Sequence, residues 1–120
     1  MAKPSKETRI KREQKRLDAI FVARSEKEQA AIEPLIKRAA YMRVTLEDME
    51  ADLDENGFVE MFTQSEKTDP YERERPIARL YNTMNKNYQS IMKQLTEFVE
   101  KEPPKADEGD GFDDFVNSRG

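Results

Sequence analysis

The chain contains no cysteine, no histidine and no tryptophan, and only four of its 120 residues are glycine. Without Cys and His it has no disulfides, thiol nucleophiles or imidazole bases, and it lacks the usual ligands of zinc and iron. The absence of Cys also fits a reducing compartment. No glycine-rich loop followed by Lys-Ser or Lys-Thr is present to bind phosphates. The sequence therefore indicates neither an enzyme nor a bound cofactor.

Apolar residues are also scarce. They make up 36% of the chain, and the mean hydropathy is -0.98. A monomer could bury only a small core, and long helices with little core usually need a partner, which favours a homo-oligomer. No run approaches the roughly 20 apolar residues of a membrane span, so no membrane association is expected.

The net charge of -4 conceals a strong asymmetry along the chain. Residues 1–43 carry 12 basic and 6 acidic side chains, whereas residues 44–69 carry 1 basic and 9 acidic ones. Residues 70–101 carry 6 basic and 4 acidic side chains, and residues 102–120 carry 2 and 6. This distribution indicates separate contact surfaces with different partners.

The apolar spacing predicts an all-α fold. A basic helix is expected over 8–24, with a thin apolar stripe formed by Ile10, Leu17, Ile20 and Phe21. Ser25 and Glu28 fit a capping box, with Ser25 as the cap and Glu28 reaching back, so a second helix should start there and end at Asn56-Gly57. Pro34 leaves two alternatives: a kink at Glu33, or a turn over 26–32 before a true start at Pro34.

The connection over 57–69 contains the apolar residues Phe58, Val59, Met61 and Phe62, so part of it is expected to pack, and a short extended segment is one option. Asp69-Pro70-Tyr71-Glu72 has the residues of a helix start, and Pro76 then marks a kink or a restart of a helix that runs to about Lys101. The chain is thus divided into a basic arm (1–25), an antiparallel helical hairpin that forms the oligomerisation core (26–101) and a disordered acidic tail (102–120).

The third helix is unusual because Lys86 is its only charge between Tyr81 and Met92. Asn, Gln, Ser and Thr occupy the positions where a solvated helix of so charged a protein would carry Glu and Lys. Such a helix is typical of burial on more than one side, with side chains that form hydrogen bonds between subunits. The predicted oligomer interface consists of Tyr81, Asn82, Met84, Asn85, Tyr88 and Gln89. The alternative is a solvated amide face on a two-helix core.

The first helix is the predicted DNA-binding surface. Its cations could neutralise several phosphates, and only Gln14 offers an amide for reading base edges, so we expect backbone binding. The predicted contacts are Lys6, Arg9, Lys11, Arg12, Lys15 and Arg16. The alternative is a solvated N-terminal segment without a ligand.

Two acidic regions have different interpretations. The acids between Glu47 and Glu55 spread around a helix and lack the glycine-centred loop of an EF-hand, so we expect a solvated face and no metal site. In the tail, two aromatic residues stand three apart among acids, as in short docking segments that fold onto a groove. The residues concerned are Phe112, Asp113, Phe115 and Val116. A tail without a partner is the alternative.

Four stretches together resemble the small terminase subunits of tailed double-stranded-DNA phages and prophages. They are IKRAAYMRVTLEDME at 36–50, ENGFVEMF at 55–62, YERERP at 71–76 and LYNTMNKNY at 80–88. The resemblance covers about residues 9–100. It implies a subunit that assembles into a ring, engages viral DNA near the packaging start, and recruits or regulates the large subunit, which contains the ATPase and the nuclease.

By the same resemblance the helical hairpin forms the core of the ring, helix 76–101 supplies subunit contacts or lines the passage, and the tail docks on the large subunit or the portal. This role favours the host cytoplasm. Many small terminases carry an N-terminal helix-turn-helix, whereas residues 8–24 here form one basic helix. Two other classes remain open: a dimeric helical phage regulator that binds nucleic acid, and a helical scaffold without a nucleic-acid role.

Overall fold

The computed structural model describes residues 4–100, with side chains described through residue 98. Within that range the chain forms three helices and a small β-hairpin that connects the second helix to the third: α1 (Lys6–Ile20), α2 (Glu26–Asn56), β1 (Val59–Phe62), β2 (Tyr71–Glu74) and α3 (Pro76–Glu100). The chain is therefore mainly helical, as expected. The sheet is an addition that the all-α prediction did not include.

Both of the first two helices begin at a serine cap. Ser5 Oγ accepts a hydrogen bond from the Thr8 amide at 3.1 Å, and Ser25 Oγ accepts one from the Glu28 amide at 3.0 Å. Glu28 does reach back, but its carboxylate accepts from the Arg24 amide at 2.8 Å, one residue before the cap. The predicted cap is confirmed, and its reciprocal half is displaced by one residue.

Pro34 lies inside α2, and residues 26–32 are helical, so the alternative of a turn before Pro34 is wrong. A proline in a helix leaves the carbonyl four residues earlier without its hydrogen bond. The helix persists because Ile32 and Ile36, on either side of the proline, are both buried in the core. Tertiary packing therefore outweighs the unfavourable effect of proline inside a helix.

The helix start expected at Asp69–Glu72 is also wrong. Residues 71–74 form β2, which pairs antiparallel with β1 in the register Phe62↔Tyr71 to Val59↔Glu74. Arg73 Nε donates to Glu60 Oε2 at 2.7 Å across the pair, and the rings of Phe62 and Tyr71 meet edge to face at 5.9 Å. Pro76 is instead the first residue of α3, a position at which proline costs no helical hydrogen bond.

The main core joins all three helices at one end of the molecule. It contains buried side chains of α1, α2 and α3, namely Leu17, Phe21, Ile32, Ile36, Ala39, Ala40, Ile91 and Leu95. At the other end α2 and α3 form the predicted antiparallel hairpin, with Val44, Leu46, Leu53 and Ala78 buried. Consequently α1 packs along α2 and presents its opposite face to solvent.

The hairpin is closed by Arg75, just before α3. Its guanidinium donates to the Gly57 carbonyl at 2.7 Å and to Asp52 Oδ1 at 3.0 Å, and its amide donates to the Phe58 carbonyl at 2.8 Å. Gly57 ends α2 with φ of 84° and ψ of 178°, a conformation that is essentially restricted to glycine. These contacts hold the end of α2 against the start of α3.

Stability is expected to depend on pH through Asp52. The Asn56 amide and then the Arg75 guanidinium donate to its carboxylate and lower the pKa of Asp52. Because the folded pKa lies below the unfolded value of about 3.9, the stabilisation is complete above that value and is lost as the pH falls through the folded pKa. Asp52→Asn should therefore reduce the free energy of unfolding at pH 7 and have less effect near pH 2.

Urea unfolding of the wild type and of Asp52→Asn at both pH values measures this difference. Asp54→Asn is the matched control, because Asp54 is exposed in the same turn of α2 and forms no hydrogen bond within the described part of the chain. An Asp52→Asn effect on the free energy of unfolding that is the same at pH 7 and near pH 2 would contradict the stabilising role of the ionised Asp52 carboxylate.

Candidate nucleic-acid interface

The outer face of α1 is rich in exposed cations. Lys11, Arg12, Lys15 and Arg16 are all exposed. With 3.6 residues per turn they share an arc of about 140°, opposite the side that carries Ile10, Leu17 and Phe21. Besides these cations, the arc holds only Thr8 and Ala19. These four cations have no carboxylate between them and are called the basic face below. Lys11 and Lys15 point away from the bundle, and Arg12 and Arg16 border the cleft toward α2.

Two of the six predicted contacts are instead held against α2. Arg9 Nη1 donates to Asp48 Oδ1 at 2.7 Å and Arg9 Nη2 to Glu47 Oε1 at 3.1 Å, and these hydrogen bonds raise the pKa of Arg9. Lys6 Nζ lies 4.9 Å from the centroid of the Tyr41 ring. These side chains therefore attach α1 to α2 and are less available to phosphates than the basic face.

At the edge of the basic face, Arg16 forms a bidentate pair with Glu13, at 2.9 and 2.7 Å. Lys11, Arg12 and Lys15 form no ion pair within residues 4–100. The Arg16 side chain is 49% exposed and the Glu13 side chain is 12% exposed, so a phosphate can reach Arg16 from the solvent side while Glu13 stays its partner.

Arg43 belongs to the same surface and was not predicted. It lines a pocket of about 270 Å³ between α1 and α2 together with Arg9, Arg12, Glu13, Arg16, Val44 and Glu47. Its guanidinium donates to Tyr88 Oη at 3.4 Å and to Glu47 Oε2 at 3.1 Å, and these contacts raise the pKa of Arg43. The helical spacing of α2 alone gave no sign that Arg43 would face α1.

The predicted oligomer-interface residues of α3 fall into two groups. Tyr81 Oη donates to Glu50 at 2.8 Å, which raises the pKa of Tyr81, and Tyr88 accepts from Arg43. Asn85 lines a small cavity with side chains of α2, and Met84 lines a larger groove. These four therefore contact α2 of the same chain, at least in part.

Asn82 and Gln89, in contrast, are exposed on the outer side of α3. They lie two turns apart with Lys86 between them, so they share one stripe of the helix. This stripe, 82, 86, 89 and 93, is available for contact with another subunit. The structure thus reduces the six predicted interface residues to two that point away from the chain's own hairpin.

Several apolar side chains on and beside the β-hairpin are exposed, and they were not identified as a site from the sequence. Phe58, Val59, Met61, Tyr71 and Leu80 are exposed by 46% to 63%. In the register of the sheet, Val59 and Met61 lie on one face and Tyr71 lies on the other. Some of the connection was expected to pack, and Phe62 does so, against Tyr71 and beneath the Arg73 guanidinium, which lies 3.6 Å from its ring centroid. The face with Val59 and Met61 is called the apolar patch below, and exposed apolar surface of this kind is typical of protein interfaces.

The remaining predictions concern metal and the tail. No cluster of acids within residues 4–100 could hold a metal ion. Glu47 and Asp48 pair with Arg9, Glu50 with Tyr81, and Asp52 with Arg75. The predicted docking residues Phe112, Asp113, Phe115 and Val116 lie outside the described residues.

Comparison of the chain with models of known protein families, with curated proteins and with solved structures finds no match in any of the three. None of the helices within residues 4–100 combines the length and the apolar character needed to cross a membrane. Function is therefore inferred from the resemblance to small terminase subunits and from the geometry of the described residues.

Proposed function

We propose that this chain is the small terminase subunit of a tailed phage or prophage, which binds viral double-stranded DNA at the packaging start and recruits or regulates the large ATPase-nuclease subunit. The observation that carries the proposal is the basic face of α1, where Lys11, Arg12, Lys15 and Arg16 are exposed with no acid among them. Such a surface fits the phosphate backbone of a duplex and gives affinity without base readout.

The assembly in this proposal is a ring. A ring of many subunits repeats the basic face around its circumference, so that modest contacts add up to stable binding of DNA. The outer stripe of α3 and the apolar patch are two separate surfaces, as head-to-tail contacts between neighbouring subunits require. The small core of each chain also favours association.

Partner recruitment is assigned to the acidic tail, through Phe112, Asp113, Phe115 and Val116, which would contact the large subunit or the portal. Hydrolysis of ATP and cleavage of DNA belong to the large subunit, so this chain acts without catalysis of its own. The proposed site of action is the host cytoplasm.

The test is the native mass of the full chain by light scattering, combined with binding to duplex DNA over a range of salt concentrations. A closed assembly of many subunits with salt-sensitive DNA binding is expected. A dimer that binds DNA would overturn the ring and favour the phage regulator. An assembly with no affinity for DNA at low salt would instead favour the helical scaffold.

Assembly should be sensitive to negative charge on the outer stripe of α3. Asn82→Glu combined with Gln89→Glu is expected to reduce the native mass to that of a monomer or a small oligomer, because the new carboxylates would be buried without partners at a subunit contact. Helix content measured by circular dichroism should not change, since both positions are exposed in the single chain.

The control for this variant is Gln29→Glu, which adds a charge at an exposed position near the start of α2, away from the outer stripe of α3. It should leave the native mass unchanged. An intact assembly in the Asn82/Gln89 variant would show that α3 does not contact the neighbouring subunit, and the apolar patch would then be the next candidate.

A further inference from the structure

A groove of about 540 Å³ lies between α2 and α3 on a side of the hairpin that neither the basic face nor the outer stripe of α3 uses. Its lining combines apolar and aromatic side chains with two cations, namely Pro34, Lys37, Arg38, Tyr41, Met42 and Met84. The volume is within the range of sites that bind ligands and peptide side chains. Tyr41 is 48% exposed, so a large part of its ring is open to a partner.

The groove is bordered by cations that have few acidic partners, although many other cations of this chain form ion pairs. No carboxylate lines it, and Arg38 forms no ion pair within residues 4–100. Lys37 reaches only Glu33, at 3.6 Å, with both side chains at least half exposed. Lys6 Nζ adds a third cation beside the Tyr41 ring. An apolar groove bordered by weakly paired cations selects a ligand that carries both aromatic and acidic groups.

We propose that residues 112–116 of the same chain, Phe-Asp-Asp-Phe-Val, occupy this groove. Phe112 and Phe115 are three positions apart, so one helical turn would direct both rings to the same side. Against Met42 and Met84 they would gain favourable contacts between sulfur and aromatic rings. Asp113 and Asp114 would pair with Lys37 and Arg38. The charges of the groove and the tail are opposite, because cations border the groove and residues 102–120 carry 6 acidic and 2 basic side chains.

The length of the chain permits this docking. The described part ends with α3 at Glu100, and Met84 lies 16 residues earlier in the same helix, or about 24 Å away along its axis. The 12 residues from 100 to 112 span up to about 40 Å when extended. The segment can therefore return along its own hairpin and reach every residue that lines the groove.

This proposal does not depend on a role in DNA packaging, because it concerns only two parts of the same chain. It adds a regulatory consequence to that role: while the segment occupies the groove, its aromatic residues are unavailable to the large subunit. A partner that recruits the tail must then compete with Met42, Met84, Lys37 and Arg38.

The absence of cysteine makes a direct test possible in the full-length chain. A single Ser118→Cys variant carries a nitroxide spin label next to the segment, and the methionine methyl groups are labelled with ¹³C for NMR. The label is expected to broaden the signals of Met42 and Met84 until most of their intensity is lost. Met61 in β1, beyond the far end of α2, should stay sharp and serves as the internal control.

Charge exchange tests the chemistry of the contact. Lys37→Glu with Arg38→Glu should abolish the broadening, and adding Asp113→Lys with Asp114→Lys should restore it. Sharp Met42 and Met84 signals in the unaltered groove would overturn the proposal. So would broadening in a mixture where the spin label and the ¹³C label are on different chains, because the occupant would then be the tail of a second copy.

Discussion

With Lys11, Arg12, Lys15 and Arg16 all replaced by glutamine, the affinity for duplex DNA is expected to fall by roughly 10³-fold at 0.1 M salt. Each phosphate contact releases about 0.9 of a counterion, so the slope of log affinity against log salt should become shallower by about three to four. Fluorescence anisotropy with two duplexes of unrelated sequence measures both quantities. The two duplexes should weaken equally, because the basic face carries no array of side chains for base readout.

The control variant replaces four exposed cations outside the basic face and outside the outer stripe of α3 with glutamine: Arg24, Lys27, Lys67 and Arg79. It has the same net charge as the α1 variant, so a nonspecific effect of charge would weaken both equally. Glutamine, lysine and arginine have similar helix propensities, so helix content should be preserved in both. If the control lost as much affinity as the α1 variant, the basic face would not be the DNA surface.

Arg9 provides a separate test of how the cations are divided. Arg9→Gln removes the hydrogen bonds to Glu47 and Asp48. We expect this variant to weaken the packing of α1 on α2 and to have little effect on the salt dependence of DNA binding. In the sequence, Arg9 and Arg12 look alike, because both are cations of one basic helix. The acids that pair with Arg9 are 38 and 39 positions away, and they come close to Arg9 only because α1 packs on α2.

Local signals predicted the helices where packing agreed with them. Ser25 and Gly57 delimit α2 as expected, since a serine cap and a C-terminal glycine act within one turn. The helix start predicted at Asp69-Pro70 was wrong because tertiary contacts there oppose the local signal. Cap, proline and glutamate are all present there, but Tyr71 and Arg73 gain cross-strand contacts with Phe62 and Glu60 that no local pattern contains.

The amide-rich helix illustrates a limit of composition. Its uncharged positions indicated burial on more than one side. In the single chain Tyr81, Asn85 and Tyr88 lie against α2, whereas the other amide and hydroxyl positions, Asn82, Thr83, Asn87, Gln89 and Ser90, are exposed. Periodicity shows which residues share a face, but it does not show which face meets the partner helix of the same chain. The exposed positions, 82 and 89, became identifiable only once α2 was in place.

Leu17→Ala is expected to be among the most destabilising single substitutions in the chain, at about 2–5 kcal/mol. Leu17 is fully buried where α1 meets α2 and α3, and the lost methyl groups would leave a cavity that the neighbouring helices cannot fill completely. For a domain of this size that loss lowers the melting temperature by roughly 10 °C or more. Urea unfolding at a fixed protomer concentration measures it, because assembly would make the stability depend on concentration.

Ile20→Ala is the matched control, since Ile20 is in the same helix and is 52% exposed. It should cost less than about 1 kcal/mol, because little apolar surface leaves a buried environment. The comparison also bears on function. If α1 separates from the bundle in Leu17→Ala, the four cations no longer share a fixed exposed face, and DNA affinity should fall although no cation was changed. Equal stability of the two variants would mean that α1 is not docked on α2, and the basic face would then lose the rigid support on which its proposed role depends.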